Sequence, residues 1–219
     1  SNPGQILALL LSIPGVLIAI TFHEYAHAWT AYKLGDDTAK SQGRLSLNPL
    51  KHMDPIGIVM LLFLGFGWGR PVEIDSRNFN RNISVRKAEA IVSIAGPLAN
   101  FILAIVFSAI YGVLIKFNAL TSMDTRTALT IITILQSIIS INIGLGVFNL
   151  IPLPPLDGSK VLSYFLPYNA RNWFENNQQI FYIIFLIIWI TGIAGTIISP
   201  AITSIYYGLM KLVSLVFGL

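Results

Sequence analysis

His23, Glu24 and His27 lie in the stretch Thr21-Phe22-His23-Glu24-Tyr25-Ala26-His27, at the end of an otherwise uncharged apolar run. They form the pattern H-E-x-x-H. On a helix, side chains four apart share a face, so the two imidazoles can bind one metal ion while Glu24, one position round, reaches a water on that metal. This is the layout of a zinc hydrolase. A catalytic zinc usually takes three protein ligands and keeps one position open. His52 is the only other histidine, and Lys33 occupies the place where an extended motif would carry a third. The chain has no cysteine, which excludes thiol catalysis, Cys-ligated metal and a disulfide framework. Among the carboxylates Asp157 stands out. It ends a long apolar run, between Pro154-Pro155 and Gly158, and an ionisable group left unpaired at membrane depth is costly.

The elements that must position these groups belong to a membrane. The 219 residues are 54% hydrophobic and 11% charged, with a mean hydropathy of +0.70, whereas a soluble domain is about 25% charged. The run Ile6 to Ile20 is apolar all round rather than amphipathic. A first helix is expected over about 5–34, kinked at Pro14-Gly15 and ended by Gly35-Asp36-Asp37. That places the motif roughly 10–16 Å below the helix end. No cleaved leader is expected, because the first apolar run leads into the motif without a basic start or a cleavage site. The net charge of +4 and pI near 9.4 mark cytoplasmic loops rather than a nucleic-acid partner.

Further helices are expected over 86–116 and 127–150, with two C-terminal membrane helices in 178–219 separated at Pro200. The polar loop 36–55 is followed by the short apolar run Ile56 to Phe66 and the glycine-rich Gly65-Phe66-Gly67-Trp68-Gly69. About eleven residues is too short for a comfortable span, so this segment reads as re-entrant and partly extended. Topology supports that reading. If 56–66 turns back, the next two spans go up and down, and Asp157 arrives at the depth of His23 and His27. If it crossed, Asp157 would emerge on the opposite face. The charges agree: eleven of the 14 basic residues fall in 33–87 and 157–177, which the positive-inside rule makes cytoplasmic.

HEYAH at 23–27, GPLAN at 96–100 and NLIPLPPLDG at 149–158, in that order, resemble the site-2 protease family of intramembrane zinc metalloproteases. With GRLSLNPLKHMDPIG and FGWGRPVEIDSRNF, the likeness covers most of residues 15–165. The resemblance implies an all-α polytopic membrane protein with a three-helix catalytic core. It implies His23, His27 and Asp157 as ligands of one zinc ion, Glu24 as the catalytic glutamate and Asn149 as a substrate-binding polar group. It also implies that the loop after the first helix dips into the membrane as strands, and that the substrate is a transmembrane protein in the lipid bilayer. No PDZ domain fits the chain, so it resembles a minimal prokaryotic-type member. We expect a single intramembrane protease domain over 1–219, with its core at about 5–165, in a prokaryotic cell membrane and with its site toward the cytoplasm.

Other readings of the same residues exist. Asn100 is expected to hydrogen-bond between helices and Gly96 to let backbones pack closely, and His52 to be an ordinary loop residue. The competing function is a membrane metal or ion transporter that uses His23, Glu24, His27 and Asp157 as its transport site. It requires polar groups along a path to both faces, and the later spans offer chiefly Gln136 and Asn142. A proteolytically dead scaffold is the third reading, and the intact Glu24 argues against it.

Overall fold

In a computed structural model, which describes residues 3–64 and 67–219, the chain is helical throughout its apolar runs. Among the described residues four helices are long and apolar enough to cross a bilayer: α1 (Pro3–Lys33), α4 (Val85–Lys116), α5 (Thr125–Asn149) and α9 (Ile193–Phe217). Between them lie α2 (Thr38–Ser41), α3 (Pro55–Leu64), α6 (Asp157–Phe165), α7 (Tyr168–Asn176) and α8 (Gln178–Ile190). This is an all-α, multi-pass membrane protein.

Side-chain caps set two of the helix starts. Ser84 Oγ accepts from the Lys87 N–H at the head of α4, and Asp124 Oδ1 accepts from the Thr127 N–H at the head of α5. Each satisfies a backbone donor that the first turn leaves without an intrahelical partner. At the other end of α1, Gly35 takes a left-handed φ of 108° and the helix stops.

Helices α1, α4 and α5 pack against one another as a bundle, and α6 lies against α4. Ala104, Ile139 and Ile143 are buried between α4 and α5, and Ile202, Tyr206, Leu209 and Met210 of α9 pack on them. Elsewhere α4 and α9 expose Ile102, Ile105, Leu212 and Leu215. Outward-facing apolar side chains are what a lipid-embedded bundle presents. A smaller cluster of Ala31, Phe79, Ala88 and Val92 ties the loop before α4 to the end of α1.

Two expectations need correction. The partly extended segment is chiefly helical: α3 covers Pro55–Leu64, and extended pairing is confined to one antiparallel bridge, Met53 with Gly69, among the described residues. A run as uniformly apolar as PIGIVMLL has no alternation to favour a strand. Ten helical residues rise only about 15 Å, so α3 falls short of a span. Gly65 and Phe66 lie outside the described residues. Next, the C-terminal break falls at Thr191-Gly192, where Gly192 takes a φ of 75°, and Pro200 sits inside α9. A proline removes one helical hydrogen bond, which membrane helices accommodate, whereas a left-handed glycine redirects the chain. The first C-terminal helix, α8, is consequently short at 13 residues. The polar segment after Asp157 forms the helices α6 and α7.

Candidate metal centre

The first ligand pair comes from one turn of α1. His23 and His27 are each 6% exposed, and their Nε2 atoms lie 3.0 Å apart. Their outer nitrogens are fixed from α4. His23 Nδ1 lies 2.8 Å from Asn100 Oδ1, and His27 Nδ1 lies 2.7 Å from the Val92 carbonyl oxygen. Both partners are acceptors, so each Nδ1 carries a proton, and in the neutral imidazole each Nε2 then presents a lone pair. The Asn100 amide orientation is set independently, because its Nδ2 donates to the Ala19 carbonyl (3.0 Å) and to Asn142 Oδ1 (3.0 Å). Asn142 in turn donates to Ile138 O at 2.9 Å. Asn100 and Asn142 are fully buried.

Asp157 closes the site from the start of α6. Its Oδ2 is 3.1 Å from His23 Nε2 and 3.2 Å from His27 Nε2, and it is buried with no hydrogen-bond partner among the described residues. With neutral imidazoles, three lone-pair atoms from a span of 134 positions therefore converge. Such a cluster calls for a cation. Tetrahedral ligands about 2.0–2.1 Å from a zinc ion would themselves lie roughly 3.3 Å apart, close to the 3.0–3.2 Å observed. The second nitrogens of both histidines are held by oxygen acceptors, as metal-bound imidazoles require. The donor set fits a zinc ion and supplies three of its four tetrahedral positions.

Gly96 explains why α4 can press on this site. A Cβ there would come within 2.4 Å of His27 Nε2 and 2.7 Å of His23 Cε1. Its role is thus more local than helix packing alone. Glu24, half-buried beside the pair, accepts a hydrogen bond from the Val72 N–H to Oε2 at 2.8 Å. Asn149 is half-buried at the end of α5, and its Nδ2 donates back to Leu145 O at 3.0 Å. His52 lies apart from the trio. It is fully buried, with Nε2 2.6 Å from the Ser46 carbonyl oxygen, so it is a structural residue of its loop.

The sequence reading left Asn100 as a helix-packing amide without assigning it to His23. Its signal was a polar side chain in an apolar run, and the rotation of α4 that aims it at His23 has no sequence signature. The Val72 contact is a backbone group and leaves no signature either.

Comparison with known proteins gives the same chemistry. Over 208 residues the chain is 37% identical to the "Putative zinc metalloprotease YwhC" of Bacillus subtilis strain 168, covering 92% of this chain and 90% of that protein. It is 29% identical over 185 residues to the "Putative zinc metalloprotease Rip2" of Mycolicibacterium smegmatis, covering 83% and 67%. It is 26% identical over 212 residues to the protein of the same name from Mycobacterium tuberculosis strain H37Rv, covering 92% and 71%. No solved structure is a significant match. The family model of "Peptidase family M50" matches residues 11–192, and with this match the chain belongs to that family, the site-2 protease family of zinc metalloendopeptidases.

Proposed function

We propose that the protein is an intramembrane endopeptidase that hydrolyses peptide bonds in or near transmembrane segments of membrane proteins, with His23, His27 and Asp157 as its zinc ligands and Glu24 as its catalytic group. The observation that carries the reading is the convergence of three lone-pair atoms, two imidazole and one carboxylate, at 3.0–3.2 Å on helices of a membrane bundle. When bound there, zinc supplies the Lewis acidity that brings a water toward deprotonation near neutral pH.

The chain's own residues do the rest. Glu24 accepts a proton from the attacking water and returns it to the departing amine nitrogen, a general base and general acid in turn. The Val72 N–H holds one carboxylate oxygen and so fixes the other toward its task. Asn149 uses one amide hydrogen on Leu145 O and retains the other for the substrate. A helical substrate buries its carbonyls in its own hydrogen bonds, so it must unwind before attack. The extended run 67–75, beside Glu24 and free of helix, offers backbone groups to an unwound segment.

On this reading 1–219 forms a single protease domain in a prokaryotic cell membrane. The concentration of basic residues in 33–87 and 157–177 puts the site toward the cytoplasm. The transporter reading needs polar side chains lining a route to both faces. Asn142 is instead engaged with Asn100 and Ile138 in the wall of the site.

The test is to incubate purified protein with a transmembrane peptide in detergent, with and without a zinc chelator. Cleavage that the chelator abolishes and added zinc restores is the expected result. Metal flux in liposomes without cleavage would favour the transporter.

A further inference from the structure

Residues 67–75 run without helix between α3 and the 3-10 turn at Ser76–Asn78, and the middle of that run is clamped. The Arg70 N–H donates to the His52 carbonyl at 2.8 Å, and the Arg70 carbonyl accepts from Arg44 Nη2 at 2.6 Å. Both polar groups of one residue are thus held by the loop 44–53. On the other side, Gly69 lies so close to α1 that a Cβ would come within 2.5 Å of Ile20 Cγ2, one helical turn before Glu24. Two residues beyond Arg70, the Val72 N–H meets Glu24 Oε2 at 2.8 Å.

Arg44 is an unusual choice for a purely structural brace. It is 5% exposed, and its Nε is buried without a hydrogen-bond partner among the described residues. Desolvating a guanidinium to make one bond to a carbonyl gains little stability, because the lost hydration offsets the bond. Burial draws its pKa down from the ordinary value, and the negative charge of Glu24 leads the influences opposing that shift. The two side chains therefore lie within electrostatic reach.

We infer that Arg44 is a positioning residue for Glu24: it holds the Arg70 carbonyl, and through the two peptides that follow it sets the Val72 N–H against the catalytic carboxylate. The inference rests on the proposed role of Glu24. Its effect belongs in turnover rather than in metal binding, since Arg44 Nη2 acts on the strip that orients the carboxylate while the trio is held from α4 and α6.

The experiment measures kcat, KM and zinc content of the full-length protein in detergent on a transmembrane peptide, for Arg44→Met, Arg44→Lys and Val72→Pro. Displacing a reacting group by about 1 Å can cost up to roughly a hundredfold. We expect Arg44→Met to lower kcat about 10- to 100-fold with zinc unchanged, and Arg44→Lys, which keeps a donor for the carbonyl, to restore most of it. Val72→Pro deletes the N–H, and adding Arg44→Met to it should lower kcat no further. Should Arg44→Met fail to fold, Arg44→Gln, shorter and neutral, replaces it in both the single and the double variant. Independent, multiplicative losses in the double variant, or an effect confined to KM or zinc, overturn the inference. Glu24→Gln serves as the separating control: if it retains activity, the site reading fails, whereas its inactivity beside an unaffected Arg44→Met refutes only the positioning role.

Discussion

His23 Nε2 and Asp157 Oδ2 lie 3.1 Å apart, from residues 134 positions apart in the chain. The imidazole proton is on Nδ1, committed to Asn100. Bringing these two acceptors together unfavourably makes sense only around a cation. The geometry of the site follows from that demand: α1 supplies the pair, α4 orients it, and the turn after α5 delivers the third ligand.

Glu24 sits one residue from His23 but is turned toward Val72 rather than into the trio. Glu24→Gln should therefore keep zinc and lose cleavage by about 10²- to 10⁴-fold, the contribution typical of a positioned general base. Metal analysis and peptide cleavage on the same preparation check it. Retained cleavage would remove Glu24 from the mechanism.

Asn100 is the buried link between His23 and Asn142. Asn100→Leu removes the acceptor for the His23 Nδ1 proton and leaves Asn142 Oδ1 without its donor. Partners of metal-bound imidazoles are typically worth 10- to 100-fold in metal affinity or activity, and a loss of that order is expected in a zinc competition titration. Affinity equal to wild type would make Asn100 a packing residue only.

Gly96→Ala places a Cβ 2.4 Å from His27 Nε2. Because the other close atoms belong to the same two rings, the histidines must shift or α4 must retreat. Either movement is expected to lower zinc occupancy while leaving the helical content, read by circular dichroism, unchanged. Full occupancy would show that the rings relax freely.

Asp36 provides a pH prediction outside the metal site. It is fully buried, and burial alone would raise its pKa. That is outweighed by bonds accepted from Thr38 Oγ1 (2.5 Å), the Asp75 N–H (2.8 Å), Asn78 Nδ2 (3.0 Å) and the Thr38 N–H (3.1 Å), so the folded pKa is lowered. A lowered carboxylate pKa stabilises the fold above the unfolded value of about 3.9, and this stabilisation is lost as pH falls through the folded value. Asp36→Asn should cost about 1–3 kcal/mol at pH 7, measured by thermal unfolding in detergent. The gap from wild type should narrow below about pH 4. A gap independent of pH would assign the loss to packing.

Much of this arrangement was readable before any coordinates. The four-residue spacing of His23 and His27 and the uncharged runs mark α1, α4 and α5 to within about two residues, because both periodicity and span length are strong signals. Asp157 could be matched to them through the requirement that 56–66 not cross. Short elements were less legible. Nine residues give α6 and α7 too few turns to establish a period, and a uniformly apolar α3 carries no phase at all. The orientation of Asn100 and the Val72 N–H depend on how elements rotate and dock, which local sequence does not encode.

Zinc bound per chain, measured on purified wild type and on Asp157→Ala, tests the central claim most directly. The geometry predicts about one zinc in the wild type and a large loss in Asp157→Ala, since the remaining pair would hold the ion without its only anionic ligand. Wild-type zinc stoichiometry and affinity in Asp157→Ala would contradict the site.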